Sequence, residues 1–468
     1  METDLLRPRM RVHLVGIGGI GLSAIARVLH GWGYRVSGSD RQASALTAML
    51  AAEGMTIYAG HRAEQVAGAD LVLMSSAVAE DNPEVVEARR RGVPVVKRNQ
   101  FLADLTSGKL TIAVAGTHGK TTTSAMIAWI LVQAGLDPTF IVGGVLDNLG
   151  TNARAGHGRY FVIEADEYDR AFLGLWPEVA VITTLEHDHP DCYPTFGEMR
   201  DAFARFAARV GAGGLLIVGG EDQEARGLGE TWRRIGGQAA TLGLGPSWDW
   251  RAEQVQIGFG ASFEVWHAGL RLGRCELGLP GRHNVLNALA ALAVADKVGV
   301  PFEAAAGALA EFRGTARRFE LKGEAGGVTV VDDYAHHPTE IRATLAAARA
   351  RYPGRTIWTV FQPHTYSRTV ALLKEFGTVF GDADHVVVTG IYAARESDTL
   401  GMSGADVAAQ IGQSGHLDVE YVDTLHRAAA TVLERVGPGD VVLTLGAGDG
   451  YLVGEWVLER LRGRGGAG

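Results

Sequence analysis

Short apolar runs recur along the chain, and each ends in a turn that leads towards an alanine-rich stretch. The first run covers residues 11–15 and the second covers residues 110–114, and each precedes a glycine turn. A third run, residues 328–331, ends in acidic residues, and strands are predicted after it near 356–361, 385–389 and 440–445. β-Branched runs followed by turns and helical patterns are typical of βα units. We therefore expect three blocks, each built on a parallel sheet of its own.

A glycine-rich loop follows the first predicted strand. Residues 16–21 have the sequence GIGGIG, which matches GxGxxG, and Asp40 ends the next predicted strand. Backbone N–H groups at the start of a helix can hold a diphosphate, and an acid about 20 residues later can accept hydrogen bonds from hydroxyl groups. The loop indicates a site for a nucleotide diphosphate, of which NAD is one option among several. A tight βα turn that binds nothing is the alternative.

A second loop, residues 115–121 with the sequence AGTHGKT, lies between a predicted strand and a helix predicted over residues 124–133. The loop amides and the helix start supply positive dipoles, Lys120 supplies a charge, and the Thr121 hydroxyl suits Mg²⁺. The strict Walker spacing requires glycine at the position of Val114, so this is a variant triphosphate loop. ATP is its natural ligand.

Acidic residues and histidines follow two further predicted strands. Residues 164–169 have the sequence EADEYD, and residues 186–191 have the sequence EHDHPD. Open α/β sheets place their sites at the carboxyl ends of strands, where these residues could complete a Mg²⁺ shell begun by the threonine hydroxyl. No lysine lies between Lys120 and Lys297, so metal ions in this part of the chain must be held without a carbamylated lysine.

Each of these two segments has an alternative explanation. A solvated acidic loop would account for residues 164–169 if that run stood alone. A zinc hydrolase is the rival interpretation of His187 and His189, but neither HExxH nor a Cys/His spacing supports it.

Polar motifs continue into the last third of the chain. Residues 281–287 begin an alanine-rich helix, which places Asn284 and Asn287 near its start; helix capping is the simpler explanation of these two residues. Arg317 and Arg318 open the third block. An arginine from a mobile domain can stabilise the charge of a transferring phosphoryl group, and a solvated basic pair is the alternative.

Breaker clusters and the motifs together divide the chain into domains. Clusters at residues 106–108 and 312–315 predict boundaries that give domains at 1–107, 108–313 and 314–468. We expect an α/β protein of three domains, each built on a mainly parallel sheet: Rossmann-like at the N-terminus, P-loop ATPase-like in the centre and Rossmann-like at the C-terminus.

Composition narrows the functional class. The net charge of −9 argues against non-specific nucleic-acid binding, and no apolar run approaches the ~20 residues of a membrane span. Cys192 and Cys275 have no CxxC companion, so neither disulfides nor a thiolate zinc site is expected. The first ten residues contain no apolar core of a signal peptide. We expect a cytoplasmic protein with no nucleic-acid or membrane partner, acting as a monomer or homodimer.

With these motifs in order, the chain resembles the Mur ligase family nearly from end to end. The resemblance is carried by residues 16–23, 116–123, 164–167, 281–287, 314–320, 332–338 and 362–364. It implies an ATP-dependent ligase that activates a carboxylate as an acyl phosphate and forms an amide, with ATP and two Mg²⁺ ions bound. The substrates that it implies are UDP-N-acetylmuramate, L-alanine and ATP, in peptidoglycan precursor synthesis; the alternative is a murein-peptide recycling ligase of the same family.

The resemblance also implies roles for individual residues. Its catalytic group is Lys120, Glu164, His189 and Arg318, and its metal ligands are Thr121, Glu164 and His189. Its ATP site consists of Gly116, Thr117, His118, Gly119, Lys120, Thr121, Thr122, Asn284, Asn287, Arg318 and Asp333. Its UDP-substrate site consists of Gly18, Gly19, Ile20, Ser23, Asp40, His61, Ser76, Thr151, Asn152 and Arg154, and its L-alanine site consists of His336 and Arg368.

Three positions depart from the family pattern. Thr365 stands where the family often has arginine, so recognition of the alanine carboxylate should rest more on Arg368. Residues 98–100 are Arg-Asn-Gln instead of the usual Arg-Ala-Glu, and residues 186–187 are Glu-His instead of a commoner acid–alanine pair. None of these changes removes a proposed catalytic group. A nicotinamide dehydrogenase and a non-catalytic nucleotide sensor are the rivals from other classes, and the first leaves the ATP loop unexplained.

Overall fold

The computed structural model describes residues 5–394, 396–398 and 400–465. Three separate sheets, each mainly parallel, lie in sequence order along the chain and carry helices between their strands. The predicted α/β class with three sheets is confirmed. Among the described helices, none is long and apolar enough to cross a bilayer.

The first sheet has five parallel strands in the order β3-β2-β1-β4-β5. Strand β1 occupies the centre, where Val12 and Leu14 belong to the apolar cluster on one face of the sheet and Val15 to the cluster on the other. The elements are β1 (Arg11–Val15), α1 (Ile20–Gly31), β2 (Arg35–Asp40), α2 (Ala45–Ala52), β3 (Thr56–Ala59), a 3₁₀ turn (Ala63–Val66), β4 (Leu71–Met74), α3 (Pro83–Arg90), β5 (Val95–Lys97) and α4 (Arg98–Thr106).

The second sheet has ten strands in the order β15-β14-β13-β12-β11-β10-β6-β9-β7-β8. Its middle is parallel, whereas β13 to β15 and the pair β7–β8 are antiparallel. The elements are β6 (Leu110–Ala115), α5 (Lys120–Gln133), β7 (Thr139–Leu146), β8 (Thr151–Arg154), β9 (Tyr160–Glu164), a 3₁₀ segment (Tyr168–Gly174), β10 (Val179–Ile182), α6 (Phe196–Ala207), β11 (Leu215–Gly219), α7 (Gln223–Arg234), β12 (Gln238–Leu244), β13 (Trp250–Ile257), β14 (Ala261–His267), β15 (Leu270–Leu277), α8 (Arg282–Lys297) and α9 (Phe302–Ala310).

Helix α5 begins at Lys120, four residues before the predicted start at Ser124. Gly119 caps the helix with a φ of 81°, and its carbonyl accepts a 2.9 Å hydrogen bond from the Thr123 amide, which closes the first turn. The run of β-branched threonines has only moderate helix propensity, which is why the sequence indicated a later start. The early start brings the lysine into the first helical turn.

The third sheet has six strands in the order β16-β17-β21-β18-β19-β20, and only the edge strand β16 is antiparallel. The elements are β16 (Glu320–Ala325), β17 (Val328–Asp333), α10 (Pro338–Arg351), β18 (Ile357–Phe361), α11 (Tyr366–Ala371), α12 (Leu373–Phe376), β19 (His385–Val388), α13 (Gly404–Gln413), β20 (Val419–Tyr421), α14 (Leu425–Arg435), β21 (Val441–Leu445) and α15 (Tyr451–Gly465). The strands predicted near 356–361, 385–389 and 440–445 are therefore present.

The buried apolar residues do not follow the three sheets one to one. One cluster runs from Leu14 and Phe101 of the first sheet region into Phe172 and Phe203 of the second. The second sheet region has a further cluster of its own on the opposite face, around α5 and α8. The third region has two clusters that contain only its own residues. The first two regions thus share a core, and the third does not.

Candidate active site

The loops that follow β6, β9 and β10 meet at one edge of the second sheet. These strands are neighbours and run parallel, so their carboxyl ends bring residues 116–119, 165–169 and 183–191 together. Gly116 has a φ of 133°, and a Cβ atom there would lie 2.0 Å from the Thr183 hydroxyl oxygen. Only glycine allows the loop to pass this close to the neighbouring strand.

The ammonium group of Lys120 folds back over the loop that precedes it. Its Nζ donates to the carbonyl oxygens of Gly116 at 2.6 Å and Thr117 at 3.1 Å, and to Glu167 Oε1 at 2.9 Å. Burial alone would lower the pKa of this lysine, but the charges of Glu167 and Glu164 raise it above its ordinary value. The lysine therefore carries a full charge at the centre of the loop.

Glu164 lies beside this lysine, at the end of β9. Its Oε2 accepts a 2.7 Å hydrogen bond from the Gly143 amide, and a Cβ atom at Gly143 would lie 2.5 Å from the same oxygen. Burial raises the pKa of Glu164, although the charge of Lys120 and a hydrogen bond from Thr121 oppose the shift. A half-buried carboxylate beside a threonine hydroxyl fits a hard cation such as Mg²⁺.

A second carboxylate in the acidic loop has unused hydrogen-bonding capacity. Glu167 is buried, and its Oε2 has no hydrogen-bond partner among the described residues, while its Oε1 lies 3.5 Å from His189 Nε2. His189 has a φ of 53°, a conformation that non-glycine residues rarely adopt, so the surrounding contacts must hold its backbone in place. Burial opposes the charge on this histidine, but Asp188 and Glu167 raise its pKa. The orphaned oxygen is a further observation that fits a bound cation.

Most of the residues predicted for ATP line one cavity between the second and third sheets. Leu242, Leu279 and Phe319 supply an apolar end that suits a nucleobase. The predicted residues on the wall are His118, Gly119, Thr121, Thr122, Asn284, Asn287, Arg318 and Asp333. The sequence motifs, which are spread over more than two hundred residues, therefore converge on one space.

The two asparagines of α8 connect this helix to the triphosphate loop. Asn287 Oδ1 accepts from the Thr123 hydroxyl at 3.1 Å, and its Nδ2 donates to Asn284 Oδ1 at 3.2 Å. The helix is capped by Gly281 without a side-chain hydrogen bond, so the asparagines do not act as caps. A Cβ atom at Gly119 would lie 2.5 Å from Asn287 Oδ1, so the loop glycine and the asparagine fit each other.

The adjacent arginines at the start of the third region point to different surroundings. Arg317 is held inside its own domain, by Asp332 at 3.0 Å and by the carbonyl oxygens of Gly446 and Gly448. Arg318 instead lines the cavity, with its Nη1 4.0 Å from a Glu340 oxygen. Arg317 therefore stabilises its own domain, whereas Arg318 faces the cavity.

Asp333 lies at the cavity wall next to Arg318. It accepts 2.7 Å hydrogen bonds from the amides of Phe319 and Ala335. Burial raises the pKa of Asp333 to about 6, against the lowering effect of the Arg318 charge. Because burial favours the neutral form, the Arg318 charge and the two amide hydrogen bonds are needed to keep this carboxylate ionised.

The glycine loop of the first sheet is closed on itself by the acid that follows it. Asp40 Oδ2 accepts from the Gly18 amide at 2.9 Å, and the Ser23 hydroxyl donates to the Ile20 carbonyl at 2.9 Å. Gly19 caps α1 in an extended conformation, and Ile20 is more than half exposed. The amides of residues 16–19 all have partners within the protein, so the donors that a diphosphate could use lie at the start of α1.

The predicted uridine-side residues are spread along the neighbouring strand ends. His61 Nδ1 lies 3.0 Å from the Ser39 hydroxyl and 3.2 Å from Glu84, whereas Ser76 is exposed. Their distribution along the strand ends leaves the intervening surface open to a ligand.

The predicted sugar-acid segment lies in β8, against α1 of the first domain. Asn152 Oδ1 accepts a 2.8 Å hydrogen bond from Arg27, which joins the two domains here, and Thr151 donates to the Ala153 carbonyl at 2.9 Å. Arg154 is paired with Asp137 in its own domain. Asn152 therefore contacts the first domain, whereas the side chains of Thr151 and Arg154 are bonded within their own domain.

Arg368, predicted to bind the alanine carboxylate, is engaged by a carboxylate of the protein. Its Nε and Nη2 both lie 2.9 Å from Asp188 Oδ1, and its Nη1 lies 2.9 Å from His364 Nδ1. Burial would raise the pKa of Asp188, but the Arg368 charge lowers it well below its usual range. Arg368 is 4% exposed, so an incoming carboxylate must share or displace this pair.

His336 lies beside the same cluster. Its Nδ1 is 3.0 Å from the Tyr334 carbonyl and 3.4 Å from Glu340. Burial lowers the pKa of His336 to about 3, so the imidazole is neutral. Thr365, the position that departs from the family pattern, adopts a φ of 63°, which is strained for a β-branched residue.

Sequence reasoning missed a group of polar residues that joins the second and third domains. His118 Nδ1 lies 3.1 Å from Glu340 and its Nε2 lies 3.4 Å from Glu186, while the Thr339 hydroxyl donates to Glu186 at 2.6 Å. His337 Nδ1 lies 3.7 Å from the same Glu186 oxygen. We call these five residues the histidine–acid cluster. The sequence indicated His118 as an ATP-loop residue, His337 as part of the motif at 332–338 and residues 186–187 as a departure, but not that these side chains meet.

Charge in the histidine–acid cluster is set by mutual contacts. Burial opposes protonation of His118, but hydrogen bonds to Glu186 and Glu340 raise its pKa to about 9. Burial likewise opposes ionisation of Glu186, but the His118 contact lowers its pKa to about 2. The cluster is therefore a charged contact across a domain boundary.

Arg98 is a second residue whose position the sequence did not reveal. It belongs to the first domain, and its Nη2 donates to Asp166 of the acidic loop at 2.6 Å. A Cβ atom at Gly21, in the first turn of α1, would lie 2.6 Å from Arg98 Nη1. The guanidinium therefore crosses from the diphosphate loop to the acidic loop.

Models of protein families match three consecutive parts of the chain. The Mur ligase family catalytic domain matches residues 11–110, the Mur ligase middle domain matches residues 114–295, and the Mur ligase glutamate ligase domain matches residues 317–448. The three matches occur in the order of the three sheets.

Curated relatives match the chain over almost its whole length. A UDP-N-acetylmuramate–L-alanine ligase of Geobacter sp. (strain M21) is 47% identical over 453 residues, which cover 97% of this chain and 98% of the relative. A relative of the same name from Salinibacter ruber is 47% identical over 459 residues, which cover 97% of this chain and 96% of the relative.

Solved structures give the same correspondence. A UDP-N-acetylmuramate-alanine ligase from Thermotoga maritima aligns with a TM-score of 0.82 at 32% identity, over 97% of this chain and 100% of that chain. A murein peptide ligase from Psychrobacter arcticus aligns with a TM-score of 0.71 at 26% identity, over 97% of this chain and 99% of that chain.

Proposed function

The chain belongs to the Mur ligase family, and we propose that it is the member that joins L-alanine to the lactyl carboxylate of UDP-N-acetylmuramate at the expense of ATP. The observation that carries this proposal is a single cavity shared by the triphosphate loop and Arg318 from the third domain. The relatives at 47% identity bear the name of this activity over the full length of the chain. The reaction supplies the first amino acid of a peptidoglycan precursor.

The reaction requires ATP because amide formation from a carboxylate and an ammonium group is uphill in water. A lactyl carboxylate oxygen attacks the γ-phosphorus of ATP, the bond to the β–γ bridging oxygen breaks, ADP leaves, and an acyl phosphate forms. The alanine amine then attacks the acyl carbon, and inorganic phosphate leaves from the tetrahedral intermediate. The protein's contribution is mainly to position the reactants and to neutralise charge.

Lys120 and Arg318 neutralise the transferring phosphoryl group from opposite sides. Lys120 is fully charged and is held by two loop carbonyls, which fix its direction. Arg318 arrives from the third domain, so its contribution depends on the closeness of that domain to the loop. Domain closure thus completes the catalytic group.

The family is ATP-dependent, and magnesium serves with the nucleotide. We assign the Mg²⁺ ligands to the Thr121 hydroxyl, the Glu164 carboxylate and the His189 imidazole, and we propose two ions. The orphaned Oε2 of the buried Glu167 supports this assignment. Bound Mg²⁺ would offset the negative charge of the phosphates and of the acidic loop.

The amino-acid end of the site lies at Arg368 and His336. The neutral His336 imidazole can accept a hydrogen bond from the alanine ammonium group, while Arg368 meets its carboxylate. Because Asp188 already occupies Arg368, the binding of alanine is coupled to the contact between the second and third domains. Of the two candidate bases for the amine, His189 and His336, only His336 is neutral and free to accept the proton, because His189 is assigned to Mg²⁺.

The UDP-substrate site is assigned to the glycine loop and to the residues around it. The amides at the start of α1 face the diphosphate, and β8 contributes Thr151 and Asn152 on the sugar-acid side. His61 lies on the uridine side. This arrangement directs the lactyl carboxylate towards Lys120 in the neighbouring domain.

The test is a panel of amino acids with UDP-N-acetylmuramate and ATP, in which phosphate release and the ligated product are measured. L-Alanine should support turnover, and Lys120→Ala should abolish it. A murein tripeptide in place of alanine tests the recycling activity of the related murein peptide ligases. If the tripeptide supports turnover and alanine does not, the recycling assignment replaces ours; if nothing supports it, the ligase assignment fails.

A further inference from the structure

The histidine–acid cluster contains three potential metal ligands from three separate segments. His118 comes from the triphosphate loop, Glu186 from the loop after β10, and His337 from the residue that caps α10. One ligand atom from each lies within 4.8 Å of the other two. None of the three is among the Mg²⁺ ligands assigned above, although His118 also lines the nucleotide cavity.

The separations suit a small tetrahedral ion. His118 Nε2 and Glu186 Oε2 are 3.4 Å apart, and His337 Nδ1 is 3.7 Å from the same oxygen. Ligands about 2.0 to 2.2 Å from a tetrahedral zinc ion are separated from each other by roughly 3.3 to 3.6 Å. Small side-chain adjustments would therefore bring the three atoms onto one ion.

Neighbouring residues already orient the ligands. The other ring nitrogen of His118, Nδ1, lies 3.1 Å from Glu340, which is the carboxylate–histidine arrangement that accompanies metal-bound imidazoles. Glu186 receives a 2.6 Å hydrogen bond from the Thr339 hydroxyl. His337 Nδ1 accepts only a long hydrogen bond, 3.3 Å, from the Thr339 amide.

We propose that His118, Glu186 and His337 form a binding site for a divalent transition metal of the zinc class, which bridges the second and third domains. Two imidazoles and one carboxylate favour Zn²⁺ over Mg²⁺, which prefers oxygen ligands. The ion takes the place of the proton on His118 Nε2, which faces Glu186, so binding releases one proton. The fourth position is open to water or to a phosphate oxygen.

The site has a consequence for turnover. The metal would tie the triphosphate loop to α10, whereas catalysis requires the third domain to move between rounds. Zn²⁺ is therefore an inhibitor that holds the domains together, and its site is distinct from the Mg²⁺ ligands at Glu164 and His189.

The test is a titration of metal-free protein with Zn²⁺ against a chromogenic chelator, in excess Mg²⁺ so that the oxygen-rich site is filled. The variants are His337→Gln and Glu186→Gln, with Glu340→Gln as the variant of an orienting residue. His426→Gln is the matched control, because His426 is exposed on α14 and stacks on Trp456 away from the cluster.

We expect His337→Gln and Glu186→Gln to remove one equivalent of tightly bound Zn²⁺, or to weaken it by at least about 100-fold. Glu340→Gln should weaken it by about 10 to 100-fold, and His426→Gln should have no effect. Co²⁺ bound to the wild type should show the visible absorption of a four-coordinate site, which His337→Gln abolishes.

Wild-type stoichiometry and affinity in the folded His337→Gln variant would overturn the proposal, as would the absence of any Zn²⁺ binding by the wild type. Circular dichroism establishes that each variant is folded. The result is independent of the ligation assay, because metal binding is measured without substrates.

Discussion

The two boundaries of the second domain are built in contrasting ways. Towards the first domain, one buried apolar cluster continues across the boundary, with Phe101 on one side and Phe172 on the other. Towards the third domain, the cores stop, and the contacts include the histidine–acid cluster, the buried pair of Asp188 and Arg368, and Arg351 over the Phe259 ring. One boundary is apolar and continuous, and the other is charged and discontinuous.

The difference assigns different tasks to the two boundaries. Apolar burial is non-directional and is lost only when the surfaces separate completely, so the first two domains form one platform for the UDP-substrate. Charged contacts exchange their partners for water, ligands or metal ions at modest net cost. The boundary that carries Arg318 is therefore suited to open and close during turnover.

The largest effect should follow the removal of Arg318 from the charged boundary. Arg318→Ala should lower kcat by between about 10³ and 10⁵-fold, because an arginine that meets the transferring phosphoryl group contributes this much. Phosphate release measures the rate, and thermal unfolding should change little because Arg318 has no short ion pair.

Arg317→Ala is the matched control for that experiment. Arg317 holds the buried Asp332 and two loop carbonyls within its own domain, so its loss should lower the melting temperature of the third domain. Equal effects of the two substitutions on kcat and on melting would contradict the division of roles between the arginines.

The second effect tests the shared apolar core. Phe172 is fully buried and stacks on Phe206 with ring centroids 5.0 Å apart. Phe172→Ala should lower the free energy of unfolding by about 3 to 5 kcal/mol. Because the cluster crosses the boundary, the unfolding of the first and second domains should be affected together, as hydrogen exchange of the two domains would report.

Phe376→Ala supplies the comparison for this experiment. Phe376 is equally buried but belongs to a cluster confined to the third domain. Its loss should increase hydrogen exchange in the third domain alone. If Phe172→Ala leaves the first domain as protected as in the wild type, the two domains do not share a core in the energetic sense.

The sequence predicted the parallel βα units because their signals are local. An apolar run, a glycine turn and a helical stretch lie next to each other, as in residues 110–133. The antiparallel strands β13 to β15 gave no such signal, because their burial depends on packing against α9 and on long hairpin pairing. The start of α5 was placed too late because threonine propensity was outweighed by the glycine cap.

The same distinction applies to the site. Lys120 and Thr121 lie in one contiguous loop whose motif carries its own chemistry, so they could be predicted. Glu340 meets His118 from 222 residues away, and no local pattern marks it. For Arg368 the sequence indicated a carboxylate partner, but the partner in the structure is Asp188, 180 residues earlier.

The third effect concerns the pH dependence of the charged boundary in metal-free buffer. The pKa of His118 in the folded protein is about 9, against an ordinary value of 6.5. A group whose pKa is raised by folding contributes stability that is complete below pH 6.5 and is lost as the pH rises through 9. The third domain should therefore separate from the second between these two values.

Small-angle scattering across pH 6 to 9.5 measures this separation as an increase in the radius of gyration. His118→Gln cannot be protonated, so its radius of gyration should not change through this window. A wild-type radius that stays constant between pH 6.5 and 9.5 would show that the histidine–acid cluster does not hold the domains together.

The smallest effect concerns a polar bridge on the apolar boundary. Arg98 lies beside Gly21 of α1 and forms an ion pair with Asp166. Both side chains of this ion pair are partly exposed, which limits the contribution of the pair to stability to about 1 kcal/mol. Its position between the diphosphate loop and the acidic loop indicates that it sets their spacing. Arg98→Lys keeps the charge but loses the planar fork that spans the gap.

We expect Arg98→Lys to raise the KM for UDP-N-acetylmuramate by about 3 to 10-fold, equivalent to about 0.7 to 1.4 kcal/mol, with the KM for ATP unchanged. The control is Arg89→Lys, which alters an exposed ion pair with Glu80 in the same domain and should leave both KM values unchanged. A loss of kcat without a change in KM would place Arg98 in the chemical step. That result would mean that the apolar boundary also takes part in phosphoryl transfer, and that the division between a fixed platform and a moving domain is too sharp.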